Sequence, residues 1–346
     1  GVIGAGDGGM LNLYGLQAAG AEIAALCDIN EDCLRLRNGE LAAYQEIKFY
    51  TDYRQMLAFQ EMDVVVVATP DHTHLSPAVD CLIVGKYVFV EKPLATNLAH
   101  IYKFRYLADA FPGKILFGEN QGFTVPVQGT LEQMRLNQFG RFLFGSTFYV
   151  MSRSDRIMGA GKWRCEQAYN PCAGGLSHNF MVALLFARSP IARVRATGSV
   201  LHWRELKEYG GYDTMEGTLE FASGQRLNWH VCLAITGEET LFGLRDMAHF
   251  FQFERGALSY GPQPHADRIR VAENVHTCGV YEGAVEPEST RAEKYFANLY
   301  SLMHRDTLGA MEGKQTLHNI DHGINVAAAC ALAFESAKHR GGNWVD

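Results

Sequence analysis

The sequence predicts an α/β protein of two domains. The first is a doubly wound parallel sheet over residues 1–116, and the second is an α+β domain with a large, mostly antiparallel sheet over residues 117–346. The 346 residues exceed the usual size of a single core. Before residue 117 short apolar strand patterns alternate with helical patterns, and after it longer strand patterns are joined by short turns.

A regular alternation of strand and helix patterns supports the first domain. Residues 64–68 begin with four consecutive valines, as expected for a central parallel strand that is buried on both faces. Alternating β and α elements of this kind form a parallel sheet through right-handed crossovers. The other strands are predicted at 1–3, 23–27, 87–90 and 114–117, and the helices at 10–19, 32–44, 75–84 and 97–110.

The pattern changes in the second domain, where strand patterns are longer and follow one another directly. Several are linked by turns such as residues 222–225, which favours antiparallel pairing. Helices are predicted at 125–138, 291–306 and 320–339, and the last of these can pack back on the first domain. The strands are predicted at 142–151, 194–202, 214–221, 226–234, 240–244 and 247–253.

Composition argues against several classes of protein. The net charge of −7 and the absence of a basic run make a nucleic-acid partner unexpected. No apolar segment reaches the ~18 residues that span a bilayer, and no signal peptide is expected. The eight scattered cysteines lack a Cys-x-x-Cys pair, which favours free thiols and a cytoplasmic location. Neither the cysteines nor His72 and His74 have metal-ligand spacing, so no metal is expected.

A glycine-rich turn after the first strand predicts a dinucleotide site and hence a Rossmann domain. Gly4, Gly6 and Gly9 fit the G-x-G-x-x-G pattern, which allows a tight turn, close approach of a pyrophosphate and close helix packing. Asp28 ends the next strand, 24 residues after Gly4. A carboxylate there can bind the adenosine ribose and repel the extra phosphate of NADP, so NAD is expected rather than NADP. Asp7 is unusual, since its charge is unfavourable near a pyrophosphate unless it faces solvent.

Two further segments carry a family resemblance. Residues 67–74 contain the tripeptide Ala-Thr-Pro, which ends in Thr69 and Pro70, and His74 follows four residues after Pro70. Residues 85–95 contain the tripeptide Glu91-Lys92-Pro. In this order after a dinucleotide turn, the motifs resemble those of the Gfo/Idh/MocA family (glucose-fructose oxidoreductase and inositol dehydrogenase). The resemblance covers the first domain well and continues weakly through the second. It implies a cis peptide after Lys92.

The resemblance implies that Lys92 lies beside the nicotinamide and hydrogen-bonds the reacting hydroxyl or carbonyl. Chemistry supports this role, because both motifs end parallel strands, where open α/β sheets bind ligands. A lysine partly desolvated beside the cationic oxidised ring is poised toward its neutral form and can share the hydroxyl proton. Contacts with NAD are expected at Gly4, Gly6, Gly9, Asp28, Thr69, Pro70, His74, Glu91, Lys92 and Asn120.

The resemblance also implies an Asp and, four residues later, a His on a helix after a glycine-rich turn. His178 matches the His and is expected to share the catalytic role of Lys92, but the Asp position then falls on Gly174. The register is ambiguous, and His178 can instead fill the Asp position. If the carboxylate is missing, Glu166, Asn170 or Asn179 can take over its role. Asn179 is also expected to contact the substrate.

Further substrate contacts are expected by resemblance at Glu119 and Arg164. The family often has a Glu-Asn or Asn-x-Arg pair after the last strand of its first domain, which here corresponds to Glu119 and Asn120. The usual Arg is Gly122. Trp163-Arg164 resembles a substrate-reaching element, in which the guanidinium can donate several hydrogen bonds to hydroxyls.

Three functions remain open from the sequence. The first is an NAD-dependent oxidoreductase that moves a hydride to or from a secondary alcohol carbon of a sugar, cyclitol or related glycoside. The second is a glycosidase or lyase that holds NAD tightly and oxidises its substrate transiently. The third is a non-catalytic NAD-binding sensor, which the missing Asp favours and the Glu-Lys-Pro motif opposes. A free sheet face and the family resemblance lead us to expect a homodimer or homotetramer.

Overall fold

The computed structural model describes residues 1–42, 47–59, 61–150, 163–166, 172–234, 247–260, 268–274, 277–282, 291–317 and 319–346. Only the backbone is described at residues 59, 164, 166, 247, 260, 268–274, 277–282 and 291–297.

The first sheet is parallel throughout and has six strands in the described part of the chain, in the order β3-β2-β1-β4-β5-β6. Its strands are β1 (Val2–Ile3), β2 (Ala25–Cys27), β3 (Lys48–Tyr50), β4 (Val64–Val67), β5 (Tyr87–Glu91) and β6 (Ile115–Gly118). The helices that alternate with them are α1 (Asp7–Ala18), α2 (Glu31–Glu40), α3 (Tyr53–Phe59), α4 (Leu75–Ile83) and α5 (Leu98–Ala110). The strand order reverses between β1 and β4, and open sheets bind ligands at such a point. The predicted doubly wound domain is confirmed.

The valines of β4 form the centre of this core. Val65, Val66 and Val67 have no exposed surface, because helices cover both faces of a doubly wound sheet. The sequence analysis missed β3 and α3. Residues Lys48–Tyr50 lie at the sheet edge with exposed or half-buried side chains, so they lack the apolar run of a central strand. The first helix begins at Asp7, three residues earlier than predicted.

The second sheet is mostly antiparallel, with one parallel pair, β7 and β10. In the described ranges its order is β14-β13-β12-β11-β7-β10-β9-β8. The strands are β7 (Phe142–Val150), β8 (Ile191–Ser199), β9 (Thr214–Phe221), β10 (Arg226–Cys232), β11 (Met247–Phe253), β12 (Gly256–Tyr260), β13 (Arg268–Asn274) and β14 (Thr277–Glu282). The remaining helices of the chain are α6 (Val125–Arg135), α7 (Trp163–Glu166), α8 (Ala173–Ala187), α9 (Arg291–Met311) and α10 (Ile320–His339). The predicted architecture of the second domain is therefore confirmed.

One face of this sheet is covered by helix α8. Along β10 the alternate residues Leu227, Trp229 and Val231 are fully buried, which is the period of a strand with one buried face. Trp229 packs edge-to-face against Phe180 of α8, with ring centroids 5.5 Å apart. Phe148 lies on the opposite face and is 40% exposed. The sheet thus has one packed face and one accessible face.

Three strands were not predicted. β12, β13 and β14 extend the sheet beyond β11, and Gly256 and the turn before it give β12 a weak strand pattern. The strand predicted at 194–202 begins and ends three residues earlier, at Ile191–Ser199. The strand predicted at 240–244 lies outside the described residues.

The chain forms two compact units. The first comprises residues 1–120 and 289–324, and the second comprises 121–288 and 325–346. α9 and the start of α10 therefore belong with the first unit, whereas the sequence analysis placed all residues after 116 in the second domain. In the described part of the chain no helix is both long enough and apolar enough to cross a membrane.

Candidate functional site

The glycine-rich turn has the backbone geometry that its pattern requires. Gly4 has φ +102°, and a Cβ there would lie 2.4 Å from the Ala68 carbonyl oxygen. A Cβ at Gly9 would lie 1.7 Å from the Gly4 carbonyl oxygen, so only glycine allows helix α1 to pack on the turn. Around Gly6, by contrast, no atom lies within 4 Å of the Cβ position. The turn therefore has open space at the glycine that a pyrophosphate must approach, which fits a dinucleotide.

Asp28 lies at the end of β2 beside this turn. Its Oδ2 accepts a hydrogen bond from the Ala5 N–H at 2.7 Å, and its Oδ1 accepts one from the Asn30 N–H at 2.9 Å. These bonds orient the carboxylate and leave lone pairs on both oxygens for ribose hydroxyls. Asp7 is fully exposed, and its Oδ1 lies 3.7 Å from Nη2 of Arg37. Its charge therefore faces solvent and a cation.

Arg37 was missed by the sequence analysis. Its Nε donates to the Ala5 carbonyl oxygen at 3.0 Å, and its Nη1 pairs with Glu40 at 2.7 Å. The guanidinium is thus engaged by the turn and by a carboxylate. A single signal could have revealed it, namely the spacing of Arg37 and Glu40 on a predicted helix.

The loop after β4 is tied to the Glu-Lys-Pro segment by His74. Its buried ring lies with Nε2 2.9 Å from the Thr69 carbonyl oxygen and Nδ1 3.1 Å from the Pro93 carbonyl oxygen. Burial lowers the pKa of His74, although the surrounding carbonyls and Asp71 oppose this. Thr69 is half-buried and Pro70 is exposed. His74 therefore holds two loops together at the carboxyl edge of the sheet.

Glu91 and Lys92 end strand β5 at the same edge. The peptide between Lys92 and Pro93 is cis, as the family resemblance implies. Glu91 is buried, and its Oε2 accepts a hydrogen bond from the Lys92 N–H at 2.9 Å. Burial raises the pKa of Glu91 to about 7, with Lys92 and Asn12 acting in the opposite direction and Glu119 adding to the rise. Lys92 is half-buried.

A buried polar network surrounds Glu91, and the sequence analysis missed it. Asn12 of α1 donates to Oε1 of Glu91 at 2.8 Å, and Nε2 of His304 of α9 lies 2.8 Å from Oδ1 of Asn12. The Tyr300 hydroxyl lies 3.5 Å from Oε1 of Glu91 and hydrogen-bonds Asn120. Helix α9 lies about 200 residues further along the chain, so no local sequence pattern relates these side chains to Glu91.

Glu119 and Asn120 follow β6 and complete the first unit's site. Glu119 has no exposed surface and Asn120 is 8% exposed. Burial raises the pKa of both Glu91 and Tyr300, and the negative charge of Glu119 adds to each rise. The structure therefore places Glu91, Lys92, Glu119 and Asn120 at the ends of the neighbouring strands β5 and β6.

The predicted residues of the second unit lie on α8. The His178 ring stacks on Tyr149 of β7 at 6.4 Å between centroids, and Gly175 allows the close approach of the helix to Tyr149. Burial and the charge of His178 lower the pKa of His249 to about 3, which places this unpredicted histidine beside His178. Asn179 is fully buried, and within the described ranges its side-chain atoms have no hydrogen-bond partner.

The expected orienting carboxylate is not found on α8 itself. Gly174 stands one turn before His178, and a Cβ there meets no atom within 4 Å. The side chains of Arg164 and Glu166, and the whole of Asn170, lie outside the described residues. Trp163 is half-buried at the start of α7. In the described part of the chain no group of three or more His, Cys, Asp or Glu side chains could hold a metal ion.

Each unit by itself holds side chains that support proton chemistry. In the first unit Lys92 follows the buried Glu91 at the end of β5, and a lysine in this position can give or take a proton. In the second unit an imidazole lies on a helix with a second histidine nearby. Each set of side chains has the composition of an acid–base site.

A known family model matches the first domain. Residues 1–110 match the Gfo/Idh/MocA model, described as an oxidoreductase family with an NAD-binding Rossmann fold. The resemblance drawn from the motifs is therefore confirmed over this range.

This chain covers less than half of the length of the curated relatives that it matches. A glycosyl hydrolase family 109 protein from a Shewanella species is 26% identical over 183 residues, covering 49% of this chain and 40% of the relative. An alpha-N-acetylgalactosaminidase from Shewanella oneidensis is 26% identical over 157 residues, covering 43% of this chain and 34% of the relative.

Solved structures share the fold over nearly the whole chain. A levoglucosan dehydrogenase in complex with NADH and L-sorbose has a TM-score of 0.81 at 17% identity, covering 100% of this chain and 97% of its own. A myo-inositol 2-dehydrogenase from Lactobacillus plantarum has a TM-score of 0.77 at 18% identity, with coverage of 100% and 98%. At these identities the similarity establishes the fold.

Proposed function

From the Gfo/Idh/MocA-type NAD-binding domain of residues 1–110, we propose that this chain is an NAD-dependent oxidoreductase acting on a secondary alcohol carbon of a sugar, cyclitol or related glycoside. One observation carries the proposal. The glycine turn, Asp28 and the Glu91-Lys92-Pro93 segment all follow strands of one parallel sheet, at the edge where such sheets bind ligands.

NAD is favoured over NADP by the surroundings of Asp28. Its carboxylate lies where the adenosine ribose is expected, and a negative charge there repels a 2′-phosphate. Arg37, the nearby cation, is engaged by Glu40 and the Ala5 carbonyl oxygen. A phosphate would have to compete with both of these contacts for the guanidinium.

In this proposal Lys92 handles the proton of the reacting hydroxyl. NAD, when bound, supplies the acceptor for the hydride that leaves the carbon. As the alcohol is oxidised, its hydroxyl proton passes to Nζ of Lys92, and in the reverse direction the same amine returns it. The Glu91 carboxylate accepts a hydrogen bond from the backbone N–H of Lys92 and so fixes the backbone at this residue. Arg164, Asn179 and Glu119 are proposed substrate contacts, and His178 a second proton-handling residue.

Replacing Lys92 by Ala tests this role. Sugars and cyclitols are first screened for reduction of NAD by absorbance, and the active substrate is then used with the variant. We expect kcat to fall by about 10²–10⁴-fold, the usual contribution of acid–base catalysis. Binding of NAD, measured by calorimetry, should persist.

Lys86→Ala is the matched control, because Lys86 precedes the opposite end of the same strand. It should leave turnover unchanged. Unaltered turnover in Lys92→Ala, or a native protein that binds no form of NAD, would contradict the proposal.

A second function is supported by the curated relatives, which are named as family 109 glycosyl hydrolases and an alpha-N-acetylgalactosaminidase. A glycosidase that oxidises its substrate transiently would release sugar without accumulating reduced NAD. A chromogenic α-N-acetylgalactosaminide distinguishes the two, since hydrolysis with no net NADH favours the glycosidase. A homodimer or homotetramer, formed through the accessible face of the second sheet, is proposed for either function.

A further inference from the structure

The buried side chains of Asn12, Tyr300 and His304 are not explained by the proposed function. Asn12 and His304 have no exposed surface, and Tyr300 is 6% exposed. Buried polar groups are costly unless they are hydrogen-bonded. All three are directed at one carboxyl group, that of Glu91, either directly or through one neighbour.

The hydrogen bonds of Asn12 determine its orientation. Its Nδ2 donates both protons, one to the Gly8 carbonyl oxygen and one to Oε1 of Glu91, each at 2.8 Å. Its Oδ1 is then left to accept from Nε2 of His304. Loss of this N–H would leave the buried Oδ1 of Asn12 without a donor and remove one of the three hydrogen bonds that hold the amide toward Glu91.

Helix α9 is held against α1 closely enough to fix His304. A Cβ at Gly15 would lie 2.6 Å from Cβ of Tyr300 and 2.9 Å from Cδ2 of His304, so the two helices meet at a glycine. The His304 ring also packs on Phe89 of β5, at 4.8 Å between centroids. The imidazole is therefore placed by packing on two elements and can in turn place Asn12.

The groups that face Glu91 have competing effects on its charge. Lys92 and the donors from Asn12, Tyr300 and the Lys92 N–H favour the ionised carboxylate. Burial and the negative charge of Glu119 favour the protonated form. Burial outweighs the donors and raises the pKa of Glu91 to about 7, so the loss of one donor changes the charge of Glu91 near neutral pH.

We propose that Asn12, Tyr300 and His304 are positioning residues that favour the ionised form of Glu91 beside Lys92, so that the site favours the cationic oxidised coenzyme over the reduced one. The inference rests on the proposed function, because it assumes that the nicotinamide binds near Lys92. The oxidised ring carries a positive charge that the reduced ring lacks, and a nearby carboxylate attracts only the former.

The test measures the dissociation constants of NAD⁺ and NADH by calorimetry between pH 5.5 and pH 8.5. For the native protein the preference for NAD⁺ should rise with pH as Glu91 ionises. Glu91→Gln, which keeps the shape and removes the charge, should abolish this pH dependence. His304→Leu should move the midpoint of the native pH dependence upward by about one pH unit and reduce the preference for NAD⁺ at pH 7 by up to about fivefold.

Two further variants distinguish positioning from general damage. His304→Gln retains an N–H donor near the Nε2 position and should restore the native midpoint. Tyr300→Phe removes only the hydroxyl and should shift the midpoint in the same direction as His304→Leu, which keeps the proposal testable if that variant does not fold. Thr307→Val is the matched control, because Thr307 is buried on α9 and hydrogen-bonds only the Met303 carbonyl oxygen among the bonds described.

A merely structural role would weaken NAD⁺ and NADH equally and leave the midpoint unchanged, and that result would overturn the inference while leaving the proposed function intact. A native protein that binds neither coenzyme would overturn both. An unchanged midpoint in Tyr300→Phe and His304→Leu together would likewise contradict the positioning role.

Discussion

Two glycines of the dinucleotide turn serve different physical purposes, although the sequence pattern treats them alike. Gly9 lies where a side chain would collide with the Gly4 backbone, whereas Gly6 faces open space. Gly6 has φ −69° and ψ −177°, which any residue adopts. Gly9 is therefore needed by the fold, whereas under the proposed function Gly6 leaves room for the pyrophosphate of NAD.

Substitution by Ala should separate these purposes. Gly6→Ala should fold with native stability but bind NAD about tenfold or more weakly, because the methyl group occupies the space that the pyrophosphate needs. Gly9→Ala should lower the free energy of unfolding by about 1–3 kcal/mol, as overpacking does. Urea unfolding and calorimetry with NAD measure the two effects.

Gly39→Ala on α2 is the control, since a Cβ there also meets no atom within 4 Å. It should leave NAD binding unchanged. Native NAD affinity in Gly6→Ala would show that the pyrophosphate does not approach this glycine.

At the scale of the element, α8 presents His178 without the carboxylate that the family resemblance implies. Gly174 stands four residues before His178, so both lie on one side of the helix. The Cβ position of Gly174 is open. Nothing in the described packing of α8 prevents a side chain at this position.

Gly174→Asp should therefore restore a carboxylate on the His178 side of the helix. A charged residue in the first turn and the removal of a helical glycine should together raise the free energy of unfolding by about 1 kcal/mol. If His178 handles a proton, kcat/KM should also rise. Thermal unfolding and turnover on the substrate found by screening measure these effects.

Gly174→Asn is the matched control, because it has the same shape without the charge. An increase in turnover with Asn equal to that with Asp would show that the carboxylate is not what His178 lacks.

At the scale of the whole molecule, buried ionisable groups make stability depend on pH in opposite directions. The pKa of Glu91 is raised to about 7 by burial, from 4.5. Between these values the folded protein binds more protons than the unfolded chain, so the free energy of unfolding falls as pH rises. Burial lowers the pKa of His249 from 6.5 to about 3. Below pH 6.5 the unfolded chain therefore binds more protons at this residue than the folded protein, and the free energy of unfolding falls as the pH falls.

The contribution of Glu91 is isolated by comparing the native protein with Glu91→Gln. Between pH 4.5 and pH 7 the difference in their free energies of unfolding should change by about 3 kcal/mol, with the variant gaining relative to the native protein as pH rises. Urea unfolding at several pH values measures this, and Glu208→Gln at an exposed position is the control. A constant difference across this range would mean that Glu91 has an ordinary pKa in the folded protein.

Local patterns located several elements of the candidate site, because each of these elements is short in sequence. Gly4, Gly6 and Gly9 lie within one turn, and Glu91, Lys92 and Pro93 are consecutive. The parallel sheet then brings the ends of β4, β5 and β6 to one edge, which alternation of strands and helices already implies. The edge strand β3 was missed, since it carries no apolar run.

What the sequence determined by itself is the doubly wound first domain, its dinucleotide turn and the strand-end position of Lys92. Only the tertiary structure showed that α9 packs on α1 at Gly15 and directs Tyr300 and His304 toward Glu91. It also showed that Tyr149 and His249 lie beside His178. The periodicity of apolar residues and the residue types in turns predict which face of an element is buried, because both depend only on residues close together in the sequence. They do not record which distant element covers that face, because this depends on the packing of the complete chain.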